Sequence, residues 1–386
     1  MDWMLTDAQR RAREEFRDFV DAEVAPSADA HDRAQRTPPE LVAKLAARGY
    51  LGALAPQAHG GAGMDPVTWG LLCEEVGRGS ASLLSLLTVH GMVIQSLAKW
   101  GTDAQRNHWL PLLARGERIG AFALTEPEVG SDANGITTQA TQGDDGWRIN
   151  GRKRWISFGQ YADVLLLIAK VDGKASAFLV EPGDSGFSRS PIEGMLGFRS
   201  AMLADLRFED CGVPQDRLVG RVGFGFSAIA GTALDHGRFC IAWGCVGLAR
   251  AATEASLAYS AQRTQFGVAL REHQLIQQLV ADMITETSAA RALCLQAALL
   301  KQRGDPATIM ETSTAKYFAS RVAARASADA VQVHGANGCS DAYPVQRYMR
   351  DAKIMEIIEG SNQMQQMIIA RHGYGPRART ATGAAR

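Results

Sequence analysis

Apolar positions recur at helical spacing through the first third of the chain. After Thr6, a residue type that caps helices, Phe16, Phe19, Val20 and Val24 mark one apolar face, and Pro26 is expected to end that helix. Pro38-Pro39 opens a second helix over 40–48, stopped by Gly49. The glycine-rich loop His59-Gly60-Gly61-Ala62-Gly63 precedes helical patterns over 66–76, 82–100 and 102–115. Between about 119 and 219 the period becomes that of strands. Residues 147–156 read as two strands joined by a turn at Asn150-Gly151, and the apolar runs 163–170 and 176–181 are joined by Asp172-Gly173. Leu203, Leu206 and Phe208 mark a further strand. Strands without intervening helices predict an antiparallel sheet or small barrel. From 224 to about 372 the helical pattern returns in Ala-rich stretches at 228–262, 274–303 and 305–333, which predict a bundle with short connections.

The fold class expected from this order is α+β, mainly α. An N-terminal α-helical domain (1–118) precedes a central β domain (119–222) and a C-terminal helical bundle domain (223–386), whose tail from 373 onward is expected to fray.

Composition narrows the function. The 386 residues carry 41 Lys+Arg against 41 Asp+Glu, and the absence of net charge argues against phosphate-neutralising nucleic-acid binding. With 46% hydrophobic residues the chain is not disordered. Its start lacks a basic region followed by an apolar run, and the apolar stretches 239–249 and 164–169 fall short of the roughly 20 residues of a membrane helix. Cysteines 73, 211, 240, 245, 294 and 339 form no CxxC pair and read as reduced, mostly buried thiols of a cytoplasmic protein. No phosphate-binding GxxxxGK[ST] loop, HExxH or other metal-ligand spacing occurs. Gly220-Arg221-Val222-Gly223-Phe224-Gly225 has the wrong glycine order for a dinucleotide fingerprint, and Gly183-Asp184-Ser185-Gly186 reads as a turn.

Three segments carry chemistry: Leu124-Thr125-Glu126-Pro127-Glu128-Val129-Gly130-Ser131-Asp132, Arg154-Trp155-Ile156-Ser157, and Arg350-Asp351-Ala352-Lys353-Ile354-Met355-Glu356-Ile357-Ile358-Glu359-Gly360-Ser361-Asn362-Gln363. Together with Arg263-Thr264-Gln265-Phe266-Gly267, Glu272-His273-Gln274 and Gln332-Val333-His334-Gly335-Ala336-Asn337-Gly338, they make the sequence resemble, nearly end to end, the acyl-CoA dehydrogenase flavoproteins. The resemblance implies an N-terminal helical domain, a central antiparallel β-barrel domain and a C-terminal four-helix bundle. It also implies FAD held between the β domain and the bundle and closed over by a neighbouring subunit, in a homotetramer or homodimer.

By the same resemblance, Thr125 and Ser131 belong to the segment that bonds the polar edge of the flavin. Trp155 packs on the ring and Ser157 reaches its N5 edge. Arg263 and Gln265 meet the pyrophosphate, with Phe266 beside them. Gln332 and Gly335 meet the FAD of the adjoining subunit, with Ala336 standing where many relatives have Gly. Ser361 and Gln363 approach the adenosine or pyrophosphate portion. Glu359 is the implied base for the Cα proton while hydride leaves Cβ; its own backbone N–H polarises the thioester carbonyl. Flanking Ile357 and Ile358 suit a carboxylate whose pKa is raised by an apolar site. Gly237 occupies the place where some relatives carry the base instead.

Ile358 stands where most relatives have Tyr. With Ile241-Ala242-Trp243-Gly244-Cys245-Val246-Gly247-Leu248, it makes the chain similar to the dehydrogenases of hydroxymalonyl- and methoxymalonyl-acyl carrier protein biosynthesis. The expected substrate is then a glyceryl-derived (2-hydroxy-3-oxopropionyl) acyl carrier protein for polyketide extender-unit synthesis. Ser85, Thr88 and His90, with Arg238 and Ile358, are candidate substrate residues. Arg321 and Arg325, or Arg371 with Arg377 and Arg379, are candidates for docking the acidic carrier. The alternatives are a short-chain acyl-CoA dehydrogenase performing α,β-desaturation, with electron transfer flavoprotein as acceptor, and a non-catalytic assembly protein.

Overall fold

The computed structural model describes residues 4–375. Helices α1 (Asp7–Phe19), α2 (Ala28–Ala34), α3 (Pro39–Ala47), α4 (Pro66–Gly79), α5 (Ala81–Trp100) and α6 (Asp103–Ala114) come first. Strands β1 (Gly120–Ala123), β2 (Gln139–Gly143), β3 (Gly146–Ile156), β4 (Val164–Val171), β5 (Lys174–Val180), β6 (Phe187–Pro191), β7 (Ala204–Val213) and β8 (Leu218–Val219) follow. Helices α7 (Gly231–Gln262), α8 (Gln274–Gln302), α9 (Thr308–His334), α10 (Val345–Met355) and α11 (Asn362–Gly373) complete the chain. The described residues form two compact units, one drawn from 4–29, 65–81 and 238–375, the other from 30–64 and 82–237.

Local chemistry explains most helix starts. Thr6 caps α1 in a reciprocal box with Gln9, Asp65 caps α4 through Val67 and Thr68 N–H, and Thr102 repeats the box with Gln105 at α6. Pro26 does not end the first helix as expected. The α geometry already stops at Phe19, and a π turn (Val20–Val24) and a 3-10 turn (Ala25–Ser27) lead into α2. Pro26 lies at the start of the 3-10 turn, where its missing N–H costs nothing. The apolar helix α5 is long and apolar enough to cross a membrane, a run the sequence reading missed because Ser85, Thr88 and His90 interrupt it. Here 89% of its most apolar window is buried inside the protein.

The sheet runs β6-β7-β3-β2-β4-β5-β8, with β1 added on β4. It is mixed rather than antiparallel: β1 and β2 both pair with β4 in parallel. Parallel pairing becomes possible because the β2–β3 hairpin lies in the crossover from β1 to β4. Central strand β4 is buried on both faces, which accounts for its unbroken apolar run.

The expected turn at Asn150-Gly151 is also corrected. Strand β3 runs through it, with an irregularity against β7 between Ile149 and Gly151, and Asp210 N–H donates to Asn150 Oδ1 at 2.8 Å. Gly151 has φ +150°, and a Cβ there would lie 2.5 Å from Thr138 Oγ1. The turn is instead Asp144-Asp145, closed by the Gly143–Gly146 pair. Asp172-Gly173 does turn between β4 and β5, with both residues at positive φ.

In the helical unit, α7 lies close against α4. A Cβ on Gly247 would sit 1.9 Å from the Glu74 carbonyl oxygen. Buried Glu74 accepts from Arg250 at 2.5 Å and Arg291 at 2.9 Å, and buried Glu75 accepts from Arg250 and Arg78, both at 2.8 Å.

Candidate active site

The Glu359 turn lies between α10 and α11. Glu359 and Gly360 both have left-handed backbones, at φ +57° and +85°. For glutamate this conformation is costly and persists only where surroundings impose it. The carboxylate Oε2 is buried, with no hydrogen-bond partner among the described residues. Burial pushes its pKa up to about 7, with nearby Cys240 adding to the effect and Arg238 and Lys316 opposing it. The backbone N–H of Glu359 has no acceptor among the described residues, and its carbonyl accepts from Gln365 Nε2 at 3.2 Å and Arg238 Nε at 3.4 Å. Ser361 caps α11 through Met364 N–H, and Gln363 is exposed in the first turn. Ile358 is half-buried, whereas Ile357, expected to line the same apolar niche, is 55% exposed.

The other helical-unit candidates are exposed. Arg263 follows the end of α7, and its guanidinium has no partner among the described residues. A two-residue-per-strand hairpin, Thr264–Gln265 with Val268–Ala269, presents Phe266 at 95% exposure, while Gln265 folds its amide onto the Thr264 carbonyl. Gln332 and Ala336 are exposed near the end of α9, and Gly335 leaves that helix at φ +60°. Beside them the Tyr259 and His334 rings stack at 4.2 Å, and Asn337 donates to the Tyr259 hydroxyl.

In the β domain, Thr125 sits where β1 leaves the sheet. Its carbonyl accepts from Arg154 N–H at 2.9 Å. The next residue, Glu126, is buried and accepts from the N–H and hydroxyl of both Thr137 and Thr138 and from Lys153 Nζ. Lys153 also donates to the Leu124 carbonyl at 2.8 Å. Burial alone would raise the Glu126 pKa; Lys153 and the two threonines outweigh it and hold it at about 2. The sequence reading missed this pair. Its signal was a lysine in the inward phase of a strand, which demands a buried acid. Trp155 has φ +62° and is 44% exposed, with the Arg154 guanidinium 4.6 Å from its ring centroid. The Thr125 and Ser157 hydroxyls are half-buried and engage no other described residue, and Ser131 is exposed.

The sequence matches one family along three consecutive stretches: the acyl-CoA dehydrogenase N-terminal domain over residues 6–117, middle domain over 121–211 and C-terminal domain over 223–374. The chain belongs to the acyl-CoA dehydrogenase family. It is 38% identical over 376 residues to a short-chain-specific acyl-CoA dehydrogenase of Clostridium acetobutylicum, covering 96% of this chain and 99% of that one. The butyryl-CoA dehydrogenase structure from Megasphaera elsdenii superposes with a TM-score of 0.92 at 37% identity, over 96% of this chain and 99% of that one. A chain in the structure described as the electron transferring flavoprotein of Acidaminococcus fermentans does so at 0.92 and 36%, with the same coverage. FkbI, described as acting in biosynthesis of the methoxymalonyl extender unit of FK520, is less similar: TM-score 0.86 and 31% identity, over 94% of this chain and 98% of that one. FkbI, of the subgroup that the sequence reading pointed to, is thus less similar to this chain than the short-chain-specific and butyryl-CoA dehydrogenases.

This dehydrogenase is an FAD-dependent oxidoreductase by family, and its residues fit a flavin. The hydroxyls of Thr125 and Ser157, unengaged among the described residues, and the half-exposed Trp155 ring offer hydrogen bonds and a stacking face. The Arg263 guanidinium, without a partner among the described residues, suits a pyrophosphate.

The dehydrogenase's expected substrate residues on α5 are built into its frame instead. His90 is 1% exposed; its Nδ1 accepts from Gly120 N–H and its Nε2 donates to the Leu113 carbonyl, both at 3.1 Å. Burial lowers its pKa to about 4, the Leu113 bond opposing. Ser85 and Thr88 are buried and donate to the carbonyls of Ser82 and Leu84. No ring nitrogen of His90 is left for a ligand. Arg325 is engaged by Asp282, Glu286 and Asp329, and Arg321 lies over the Tyr317 ring. Arg371 is exposed, while Arg377 and Arg379 lie outside the described residues.

Proposed function

We propose that this chain is a short-chain acyl-CoA dehydrogenase that desaturates a CoA thioester between Cα and Cβ and passes the electrons to an electron transfer flavoprotein. The observation that carries this reading is the Glu359 carboxylate, buried, with no partner at Oε2 among the described residues and with its pKa raised to about 7. A thioester Cα–H is a weak acid, and a base poised near neutral pH suits its removal. Glu359 Oε2 takes the Cα proton, while the Glu359 N–H donates to the thioester carbonyl oxygen and stabilises the charge that develops there. Bound FAD supplies the acceptor for the hydride leaving Cβ. Thr125, Trp155 and Ser157 would hold the flavin ring and Arg263 its pyrophosphate, and Gln332 and Gly335 would serve the flavin of a second copy in a homodimer or homotetramer. The similarity to the short-chain-specific and butyryl-CoA dehydrogenases supports the substrate class.

A second reading, oxidation of a glyceryl-derived acyl carrier protein, has the likeness to FkbI in its favour. The engagement of Arg325 by acidic neighbours weakens it. Anaerobic mixing decides between them. Butyryl-CoA is expected to bleach the flavin and glyceryl-carrier protein to leave it oxidised; the reverse result overturns the proposal. A protein that purifies without flavin and bleaches with neither leaves the assembly role.

A further inference from the structure

The turn that carries Glu359 is held from beneath by side chains that the chemistry itself does not call for. Lys316, on α9, is completely buried. Its Nζ donates to the Gly360 carbonyl at 2.9 Å and reaches the Glu356 carbonyl and Asn362 Oδ1, both at 3.4 Å. Ser320, one helical turn on, donates to the same Asn362 oxygen at 2.8 Å. Gln365, also buried, donates its Nε2 to the Glu359 carbonyl at 3.2 Å and the Gly360 carbonyl at 3.0 Å. The carbonyls of residues 356, 359 and 360 therefore converge on one ammonium and one amide. Two consecutive left-handed residues turn the Glu359 and Gly360 carbonyls inward; the Glu356 carbonyl also accepts from Asn362 N–H at 2.9 Å and that of Glu359 from Arg238, but among the described residues the Gly360 carbonyl has only Lys316 and Gln365 to accept from. The donors thus impose a backbone that glutamate alone would not adopt.

We propose that Lys316 and Gln365 are positioning residues that clamp the Glu359–Gly360 turn in its left-handed form and so fix where the base carboxylate sits. The inference rests on the reading of Glu359 as the base. Charge adds to geometry. The groups facing Glu359 are Arg238 and Cys240 on α7 and Lys316 on α9; those facing Lys316 are Cys245 and Arg238 on α7, and Glu356 and Glu359 in the turn. Burial lowers the Lys316 pKa to about 8, and Cys245, Glu359 and Glu356 oppose that shift, so at neutral pH the ammonium persists and favours the ionised base.

The test compares the flavin-loaded wild type with Lys316→Met, Lys316→Gln and Gln365→Ala. Infrared titration reads the Glu359 carboxyl, identified by subtracting the Glu359→Gln protein. In Lys316→Met the midpoint is expected to rise by about one pH unit. The kcat with butyryl-CoA is expected to fall about tenfold or more with KM little changed. Lys316→Gln, which restores a donor without the charge, should recover part of kcat but not the midpoint. Gln365→Ala should lower kcat without moving the midpoint. Unchanged kcat and midpoint in Lys316→Met overturn the proposal, as does loss of kcat only in step with loss of flavin or folded protein in both single-site clamps. If the wild type fails to react with butyryl-CoA while the midpoint still moves, the substrate reading fails and the clamp stands.

Discussion

Lys153 donates to Glu126 Oε1 at 2.8 Å, and neither side chain is more than 2% exposed. The pair braces the strand exit on which Thr125 stands from both sides, because Lys153 also holds the Leu124 carbonyl. Lys153→Met leaves the Glu126 carboxylate buried without its cation. The expected cost is about 3–5 kcal/mol, read by urea unfolding, together with weaker flavin retention.

Acid should act on the same pair. The folded Glu126 pKa lies below its ordinary value, so its contribution to stability is complete above about pH 4.5 and is lost as pH falls through about 2. Thermal unfolding followed from pH 5 to pH 2 should show a loss that is absent in Glu126→Gln, which starts from a lower stability.

Glu359 has the opposite sign. Its raised pKa means that the folded protein holds a proton the unfolded chain releases, so the ionised carboxylate costs stability as pH rises from about 4.5 through 7. Catalysis needs that ionised form, and kcat/KM should climb through about pH 7. Glu359→Gln is expected to keep flavin, lose turnover by roughly 10²–10⁴-fold and lose the stability slope in that window. Near-normal turnover would remove Glu359 from the mechanism.

His90→Ala orphans the Gly120 N–H in a dry interior and takes one donor from the Leu113 carbonyl, which keeps the Gly116 N–H. It should cost about 1–3 kcal/mol in chemical denaturation while leaving the KM for an acyl-CoA unchanged. A raised KM with unchanged stability would return His90 to the substrate site.

Gly247→Ala places a methyl carbon against the Glu74 carbonyl where 1.9 Å is available. Helices α4 and α7 must then part, disturbing the Glu74–Arg250 and Glu74–Arg291 pairs. A loss of about 3 kcal/mol or more in thermal or urea unfolding is expected.

Most of the secondary structure was legible because its causes are local. Thr6, Asp65 and Thr102 cap helices with atoms two or three residues away, and Asp172-Gly173 turns because both residues accept positive φ. Asn150-Gly151 misled for the same reason: the dipeptide suits a turn, but pairing of β3 with β2 and β7 draws it into the sheet as an irregularity. Ser85, Thr88 and His90 looked like a polar lining, and only the positions of Leu113 and Gly120 show where the His90 ring nitrogens go.

By itself, the sequence determined the helix–strand–helix order and the family, and it singled out Glu359, which we propose as the base, since periodicity, caps and motif residues are written in neighbouring positions. Tertiary structure decided the parallel pairing onto β4, the Lys153–Glu126 brace, the Lys316 clamp and the raised pKa of Glu359. Each of these depends on burial, and on partners that are distant in the chain and close only in space. Glu359 and Lys316 are separated by most of α9 and all of α10. Desolvation and charge act through that short distance, and no pattern of adjacent residues encodes it.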